Sequence, residues 1–468
     1  MHLVDVTAKR AELCPDRVAF VNAATGRQIT YAELDSRVAR LAGALQARGA
    51  RAEDRVAIIC RNRPEFFEAL FACAKLGAIL TPLNWRMPPH ELMAIVRDCS
   101  PKLLLFGFED ADTARELARP GICAISIDDD YEVILRETRP LEGSRVWSGD
   151  AVWTLIYTSG TTGEPKGVIQ TVQMAFVNYV HATQAFGVRA CDRTLNFLPL
   201  FHTAGIHLLA LPTLMAGGTV TVLPGFDAPR VMQLLPETDL FFAVPAVYRQ
   251  LSLEPGFPLA LRKIGSAGKP QLMLDLRIDV GGRDAKVGET GEIWMRGPGL
   301  TPGYWGRPEE TAKAFTADGW LKSGDLGSRD DDGCIFIAGR IGEMYISGGE
   351  NIFPAEVENV LARHPAVFEA AVTGVADEKW GEVGCAYVQL RKEVAPPSAA
   401  DLDGFCRSRL ASYKVPRTFV FVNDLPRTAA GKLRKHLLGR AEAASCGSTM
   451  PRLDALGRQI RRKRGGYD

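Results

Sequence analysis

The first part of the chain alternates apolar runs with amphipathic stretches. Residues 56–60 and 77–83 are almost entirely apolar and predict buried strands, and residues 64–76 between them predict an apolar helix. Thr30 and Glu33 have the spacing of a capping box, at the start of a helix that Gly49 ends. Strands that alternate with helices in this way predict a parallel sheet covered by helices.

The later part of the chain shows shorter apolar runs separated by turn residues. The most apolar stretch, residues 205–223, is interrupted by a histidine, a proline and two glycines, so it does not predict a membrane-spanning helix. The other predicted elements are a strand and turn at 241–248, a turn and strand at 288–297, a hairpin turn at 330–333, a helix from Pro354, strands at 367–375 and 384–390, and a helix at 401–410.

Composition narrows the class of protein. A length of 468 residues predicts two or three domains, and 46% hydrophobic with 24% charged residues is typical of a globular protein. The net charge of +1 argues against a general nucleic-acid binder. Ten scattered cysteines without a Cys-x-x-Cys pair, and a polar N-terminus unlike a signal peptide, predict a cytoplasmic protein with reduced thiols.

A loop rich in glycine and hydroxyl groups follows the apolar run 151–157. Residues 158–167 read Thr-Ser-Gly-Thr-Thr-Gly-Glu-Pro-Lys-Gly, which offers many donors for a polyphosphate and one cation, Lys166. An ordinary connection after a strand is the simpler interpretation. A Walker P-loop is disfavoured, because Pro165 precedes the lysine and Gly167 follows it, so no helix begins there.

The string at residues 157–168 closely resembles the signature loop of the adenylate-forming superfamily, which comprises acyl- and aryl-CoA ligases, luciferases and peptide-synthetase adenylation domains. The resemblance extends from about residue 13 to about residue 438. It implies an α/β fold: a large N-terminal domain of stacked α/β sheets with a distal β subdomain (1–340) and a small hinged α+β lid domain (341–440). Residues 441–468 extend beyond the usual end of the family and are predicted to be a basic tail.

The same resemblance implies a set of site residues. The loop would bind the β- and γ-phosphates of ATP through Thr158, Ser159, Gly160, Thr161, Thr162, Gly163 and Lys166. The other implied residues are His202 as an orienting group between the nucleotide and the acyl pocket, Asp325 and Arg340 on the ribose, Gly342 as the pivot, Gly348 and Gly349 near the CoA arm, and Lys432 on the α-phosphate. Phe242, Val244 and Pro245 would line the acyl side, although core packing explains them equally well.

Most of these residues also have an ordinary interpretation. An isolated histidine is commonly structural, an aspartate in a loop commonly forms a turn, and a lysine in a glycine-rich loop is commonly solvated. The Gly348–Gly349 pair would equally form a tight turn before the helix from Pro354. The functional assignments therefore rest on the resemblance.

One segment of the resembling family has no counterpart. Similar ligases carry a Gly-Gly-Ala-Pro strand and a Tyr-Gly-x-Thr-Glu strand, which form the adenine slot and supply a Thr and a Glu for phosphate and Mg²⁺. Here residues 255–260 lead directly into residues 261–270, which resemble a later family segment, and no Tyr-x-x-Thr-Glu string occurs in the sequence. We therefore predict that this segment is missing.

The sequence predicts an AMP-forming acyl-CoA ligase that uses ATP, Mg²⁺, CoA and a fatty or aromatic carboxylic acid. Two alternatives stay open: a degenerate, non-catalytic acyl- or nucleotide-binding homologue, and an adenylating enzyme that loads an acyl-carrier protein. The basic cluster at 458–464 predicts a solvated tail or, as a second interpretation, peripheral contact with an acidic membrane surface. The oligomeric state is not predicted.

Overall fold

The computed structural model describes residues 2–118, 121–142, 146–159, 165–252, 254–256, 269–391, 394–427 and 433–438, apart from the side chains of Ser159, Pro245, Ala246 and Arg249. Four features singled out in the sequence lie outside these residues: positions 160–164 of the phosphate loop, the junction at 257–268, Lys432 and the basic tail.

The described residues form a mixed α/β chain, which confirms the predicted fold class. The strands are β1 (His2–Val4), β2 (Val18–Asn22), β3 (Gln28–Thr30), β4 (Arg55–Ile59), β5 (Ile79–Pro82), β6 (Leu103–Phe106), β7 (Cys123–Ser126), β8 (Val146–Ser148), β9 (Val152–Ser159), β10 (Pro165–Thr171), β11 (Arg193–Asn196), β12 (Thr219–Val222), β13 (Asp275–Val280), β14 (Arg283–Asp284), β15 (Gly291–Arg296), β16 (Leu321–Arg329), β17 (Ile335–Arg340), β18 (Tyr345–Ser347), β19 (Glu350–Ile352), β20 (Val367–Asp377), β21 (Gly381–Leu390) and β22 (Thr418–Val422). The α-helices are α1 (Val6–Leu13), α2 (Tyr31–Ala47), α3 (Pro64–Leu76), α4 (Pro89–Cys99), α5 (Ala111–Leu117), α6 (Tyr131–Glu137), α7 (Val172–Phe186), α8 (Ala210–Ala216), α9 (Ala228–Leu234), α10 (Pro245–Leu251), α11 (Pro308–Ala314), α12 (Pro354–Leu361) and α13 (Ala399–Arg407).

The chain divides into two compact units. The first comprises Met1–Ala285, Ile293–Ser323 and Arg329–Ile335, and the second comprises Lys286–Glu292, Gly324–Ser328 and Phe336–Asp468.

The first unit contains a six-stranded sheet of order β10-β9-β5-β4-β6-β7. Its strands are parallel except for β10, which runs antiparallel to β9. Because side chains alternate along a strand, Val56 and Ile58 of β4 join one buried cluster and Ala57 and Ile59 join another on the opposite face. This burial on both faces explains the continuous apolar run and confirms the predicted parallel sheet.

A second sheet in this unit has the order β11-β12-β2-β3. Of the strand and turn predicted at 241–248, the strand is not formed by the described residues: Leu240 forms an isolated bridge with Thr194, and α10 begins at Pro245. Phe241 and Ala243 are nevertheless buried, so their apolar character reflects side-chain packing and not a hydrogen-bonded ladder. A third sheet has the order β14-β13-β15-β16-β17, and its core residues Ile278, Ile293 and Ile335 belong to the first unit.

The second unit contains a sheet of order β19-β18-β21-β20, with β22 parallel to β21. Its core packs α12 and α13 against this sheet through residues such as Val357, Leu402 and Val388. The helix predicted at 401–410 begins earlier, at Ala399, because Ser398 and Asp401 form a capping box. The predicted strands at 367–375 and 384–390 are confirmed as β20 and β21.

Two general features concern the described residues. None of their helices combines the length and the hydropathy that crossing a membrane requires.

The cysteines of the described residues are all free thiols, and burial raises the pKa of Cys60, Cys73 and Cys99. Charging a thiol inside an apolar core is unfavourable, so these three cysteines act as packing residues.

Candidate active site

The β9–β10 hairpin carries the described ends of the phosphate loop. Lys166 pairs with Thr158, and Pro165 pairs with Ser159, in an antiparallel ladder. The structure therefore places Thr158, Ser159 and Lys166 together where the hairpin opens. Gly160, Thr161, Thr162 and Gly163, which the sequence analysis also assigned to this loop, lie outside the described residues.

The carboxylate of Asp98 contacts β9 next to the phosphate loop. The Tyr157 hydroxyl donates to Asp98 Oδ2 at 2.5 Å, and Arg307 Nη2 lies 2.9 Å from Asp98 Oδ1. Burial, Cys99 and the hydrogen bond to Asp98 together raise the pKa of Tyr157, so its hydroxyl stays protonated and remains a donor. Two groups from different parts of the chain thus hold the strand that leads into the phosphate loop.

A loop at residues 301–305 lies along β10. The Ile169 amide donates to Gly303 O at 3.1 Å, and the Trp305 amide donates to Gly167 O at 2.8 Å. Gly303 has φ +144°, and a Cβ there would lie 2.3 Å from a Thr311 methyl, so the loop conformation requires glycine.

The sequence analysis did not identify the 301–305 loop or the contacts of Asp98. The charged and hydroxyl groups involved come from three separate parts of the chain. No local spacing indicates that they meet.

His202 lies in a tight turn after the second-sheet strand β11. Its amide donates to Pro199 O at 3.1 Å, and its carbonyl accepts from the Gly205 amide at 3.1 Å. A Cβ at Gly205 would lie 2.3 Å from Pro199 O, so the turn closes only with glycine. The buried Asn196 side chain donates to Gly205 O at 2.9 Å and fixes the far end of this turn.

The chain beyond this turn forms a short π-helix, Ala204–Leu208, which carries a second histidine. Burial lowers the pKa of His207 to about 4, and its Nε2 has no hydrogen-bond partner among the described residues. His207 is therefore neutral near pH 7. The sequence analysis did not select it, because an isolated histidine in an apolar run carries no local signal.

An apolar cleft of about 320 Å³ lies beside the end of α7. Its described lining has no charged side chain and consists of Ala185, Phe186, Gly187, Leu209, Leu240, Phe241 and Phe242. Phe242, predicted for the acyl side, is one of these residues. Val244 is 44% exposed, and the side chain of Pro245 is not described.

The second unit brings Asp325 and Arg340 together. Arg340 Nε lies 2.8 Å from Asp325 Oδ1, and the side chains retain 62% and 33% exposure, respectively. The two residues stand on β16 and β17, which are joined by the predicted hairpin turn at 330–333, where Gly333 has φ +80°. A carboxylate beside a guanidinium offers both an acceptor and donors for sugar hydroxyls or phosphate oxygens.

Gly348 and Gly349 form the two-residue turn between β18 and β19. Both have positive φ values, +58° and +88°, as a type I′ hairpin turn requires. A Cβ on Gly348 would lie 2.8 Å from the Trp380 ring, so the backbone passes close to this side chain. The tight-turn interpretation is therefore correct for this pair, and a role near CoA stays a prediction.

The chain on both sides of Lys432 is anchored within the second unit, although Lys432 itself is not described. Arg427 and Leu433 form a bridge, and Lys435 Nζ lies 2.7 Å from Glu343 and 2.8 Å from Glu358. Burial alone would lower the pKa of Lys435, but the two carboxylates outweigh it, so the pKa is raised and the side chain stays charged.

No group of three or more His, Cys, Asp or Glu residues within the described part of the chain could hold a metal ion. Mg²⁺ binds mainly through substrate phosphates, water and one or two carboxylates, so such a group is not required for a metal that arrives with ATP.

Comparison with known proteins places these features in a family. The model of the AMP-binding enzyme family matches residues 7–263, and that of the AMP-binding enzyme C-terminal domain matches residues 356–432. Feruloyl-CoA synthase of Amycolatopsis sp is 36% identical, with 91% of this chain and 96% of the relative covered. Indoleacetate–CoA ligase of Aromatoleum aromaticum is 35% identical, with 87% and 92% covered.

The fold is also similar to that of a solved relative. O-succinylbenzoate CoA synthetase of Bacillus subtilis, solved with its acyl-adenylate intermediate, has a TM-score of 0.84 at 31% identity, with 94% of this chain and 98% of that chain covered. The same enzyme has been solved with ATP and a magnesium ion.

The alignment with feruloyl-CoA synthase spans 486 positions, whereas 91% of these 468 residues is about 426, so about 60 aligned positions have no residue of this chain opposite them. The predicted resemblance to adenylate-forming ligases is confirmed by these matches. With both family models matched and more than nine tenths of the chain aligned to a CoA synthase at 36% identity, the protein belongs to the family of AMP-binding enzymes.

Proposed function

We propose that this protein is an AMP-forming acid–CoA ligase. It would convert a carboxylic acid and MgATP to an acyl-adenylate and pyrophosphate, and then transfer the acyl group to the CoA thiol. The observation that carries the proposal is the similarity over 91% of the chain to feruloyl-CoA synthase. The reaction fits the cytoplasm, where buried thiols such as those of Cys60, Cys73 and Cys99 stay reduced.

The charged side chains of the site have separate proposed roles. Lys166 would neutralise phosphate charge at the mouth of the β9–β10 hairpin, and Asp325 would accept hydrogen bonds from the ribose hydroxyls beside Arg340. Lys432 would stabilise the charge that develops on the α-phosphate. A donor that acts only in the transition state is worth about 10²–10³-fold in kcat.

We further propose that the acid is an aromatic or apolar monocarboxylate. The cleft beside α7 has a volume of about 320 Å³ and no charged side chain in its described lining. A second carboxylate buried there would have no partner, which is costly. The names of two relatives, a feruloyl-CoA synthase and an indoleacetate–CoA ligase, support an aryl acid.

The predicted absence of the adenine-slot segment remains part of the proposal. The roughly 60 aligned positions without a counterpart support it. The junction at 257–268 lies outside the described residues. The residues proposed to bind the nucleotide are therefore those named above, Lys166, Asp325, Arg340 and Lys432.

Pyrophosphate release tests this function. The purified protein is incubated with MgATP and a panel of acids: ferulate, indoleacetate, a medium-chain fatty acid, 2-succinylbenzoate and malonate. We expect release with the first three, and a thioester product when CoA is added. Lys432→Ala is expected to lose about 10²–10³-fold in rate, as loss of a transition-state donor predicts.

The same panel separates the alternatives. Acid-dependent release without thioester formation on CoA would favour loading of a carrier protein. Absence of release with every acid, together with calorimetric binding of an acyl-adenylate analogue, would favour the non-catalytic homologue and reject the proposed function. Faster release with malonate or 2-succinylbenzoate than with ferulate would reject the proposed acid class.

A further inference from the structure

The aromatic ring of Tyr304 lies beside the lysine of the phosphate loop. Lys166 Nζ is 5.7 Å from the centroid of the Tyr304 ring, and both side chains are partly buried. An ammonium group within about 6 Å of a ring face is attracted by the ring quadrupole.

The backbone dictates this position. Tyr304 forms an antiparallel bridge with Val168, two residues beyond Lys166, while its amide donates to Thr311 Oγ1 at 3.0 Å. On either side of it, Gly303 and Trp305 are hydrogen-bonded to β10. The ring is therefore placed by main-chain pairing and does not depend on a flexible contact.

The chemistry of this neighbour suits a phosphate-binding lysine. An ion pair with a carboxylate would neutralise the Lys166 cation before phosphate arrived. A ring attracts the ammonium without neutralising it. An ammonium has three N–H donors, so one side can face the ring while others bind phosphate oxygens.

We propose that Tyr304 is a positioning residue that holds the Lys166 ammonium at the mouth of the β9–β10 hairpin for the triphosphate of ATP. This inference rests on the proposed function, in which Lys166 binds phosphate. It assigns no contact between Tyr304 and the substrate; the ring acts through the lysine.

Nucleotide binding in a double-mutant cycle tests the inference. The affinity for a non-hydrolysable ATP analogue is measured by calorimetry for the wild type, Tyr304→Leu, Lys166→Met and the double variant. A cation–π contact at a partly exposed site predicts about a two- to fivefold loss of affinity for Tyr304→Leu. In the Lys166→Met background the same change is expected to have no further effect.

Tyr304→Phe is the matched control, because it keeps the ring and removes only the hydroxyl, and its affinity is expected to equal that of the wild type. An equal loss for Tyr304→Leu in both backgrounds would show a structural role and overturn the proposal. Tighter binding by Tyr304→Leu would overturn it as well.

A measurement without nucleotide distinguishes the positioning role of Tyr304 from the proposed function. After reductive ¹³C-methylation, the dimethyl-lysine signal that disappears in Lys166→Arg is assigned to Lys166. The ring current of Tyr304 should shift this signal upfield in the wild type and in Tyr304→Phe, but not in Tyr304→Leu. Absence of the shift in the wild type overturns the positioning role, whereas a protein that shows it but activates no acid contradicts only the proposed function.

Discussion

Replacing Gly205 with alanine tests the geometry of the turn that carries His202. The new Cβ would lie 2.3 Å from Pro199 O and 2.7 Å from both Leu198 O and Pro199 C. All three atoms belong to the backbone, so no side-chain rotation relieves the contact. The turn must shift, and the hydrogen bond from Asn196 to Gly205 O is then strained or broken.

The magnitude follows from these contacts. Overpacking of a close-packed site costs about 1–3 kcal/mol. A buried amide that loses its acceptor costs about 1–3 kcal/mol more, and Asn196 is only 4% exposed. Alanine in place of a helical glycine offsets up to about 1 kcal/mol. The net expectation is a free energy of unfolding lower by about 1–6 kcal/mol.

Urea unfolding followed by tryptophan fluorescence measures this change, and the acid-activation rate reports on the displaced His202 turn. Gly225→Ala is the matched control, because a Cβ there meets nothing within 4 Å. It should change the stability by no more than about 1 kcal/mol. If both variants unfold at the same urea concentration, the close approach at Gly205 does not exist and the prediction is wrong.

Two further predictions concern charged or titratable groups. Since the pKa of His207 in the fold is about 4, below its ordinary value of 6.5, the unfolded chain binds more protons between these values, so stability should fall as the pH is lowered from 6.5 to 4. His207→Leu should weaken this dependence of the urea midpoint on pH, and an unchanged dependence would assign it to other groups. Lys435→Met leaves Glu358, which is only 18% exposed, without its cation, and should destabilise the second unit by about 1–3 kcal/mol, whereas Lys435→Arg should largely preserve it. Amide hydrogen exchange in α12 measures this effect, and equal exchange in the two variants would contradict it.

Local patterns predicted much of the fold. The helix predicted at residues 64–76 has the same limits as α3, since Pro64 starts it and Gly77, with φ +75°, ends it. Thr30 and Glu33 form the predicted capping box of α2. In both cases the signal and its physical cause lie within a few residues of each other, so sequence alone suffices.

The sequence did not predict features that depend on residues far apart in the chain. The apolar run after Leu240 has the composition of a strand, but a strand needs a neighbouring strand to pair with. Within the part of the chain that the structure describes, a single bridge from Leu240 to Thr194 is formed. Residue spacing did not predict the contact between Asp325 and Arg340 either. The hairpin turn at 330–333 was a usable signal for it, because folding the chain back there brings the two strands together.

The same difference between local and distant signals applies to the functional site. The phosphate-loop string was recognised because its residues are consecutive, whereas Asp98, Tyr304 and Arg307 were missed because they reach the loop from separate segments. Roles assigned to Lys432 and to Gly160–Gly163 depend on residues outside the described ranges, so they stay predictions.

The loop at 301–305 also has a consequence for solubility. In the order of the six-stranded sheet, β10 is the outermost strand, and an uncovered outermost strand invites pairing with another molecule. The hydrogen bonds from Ile169 to Gly303 and from Trp305 to Gly167 occupy part of that exposed ladder. Shortening the loop should therefore promote self-association of the protein, even if every residue assigned to ATP remains in place.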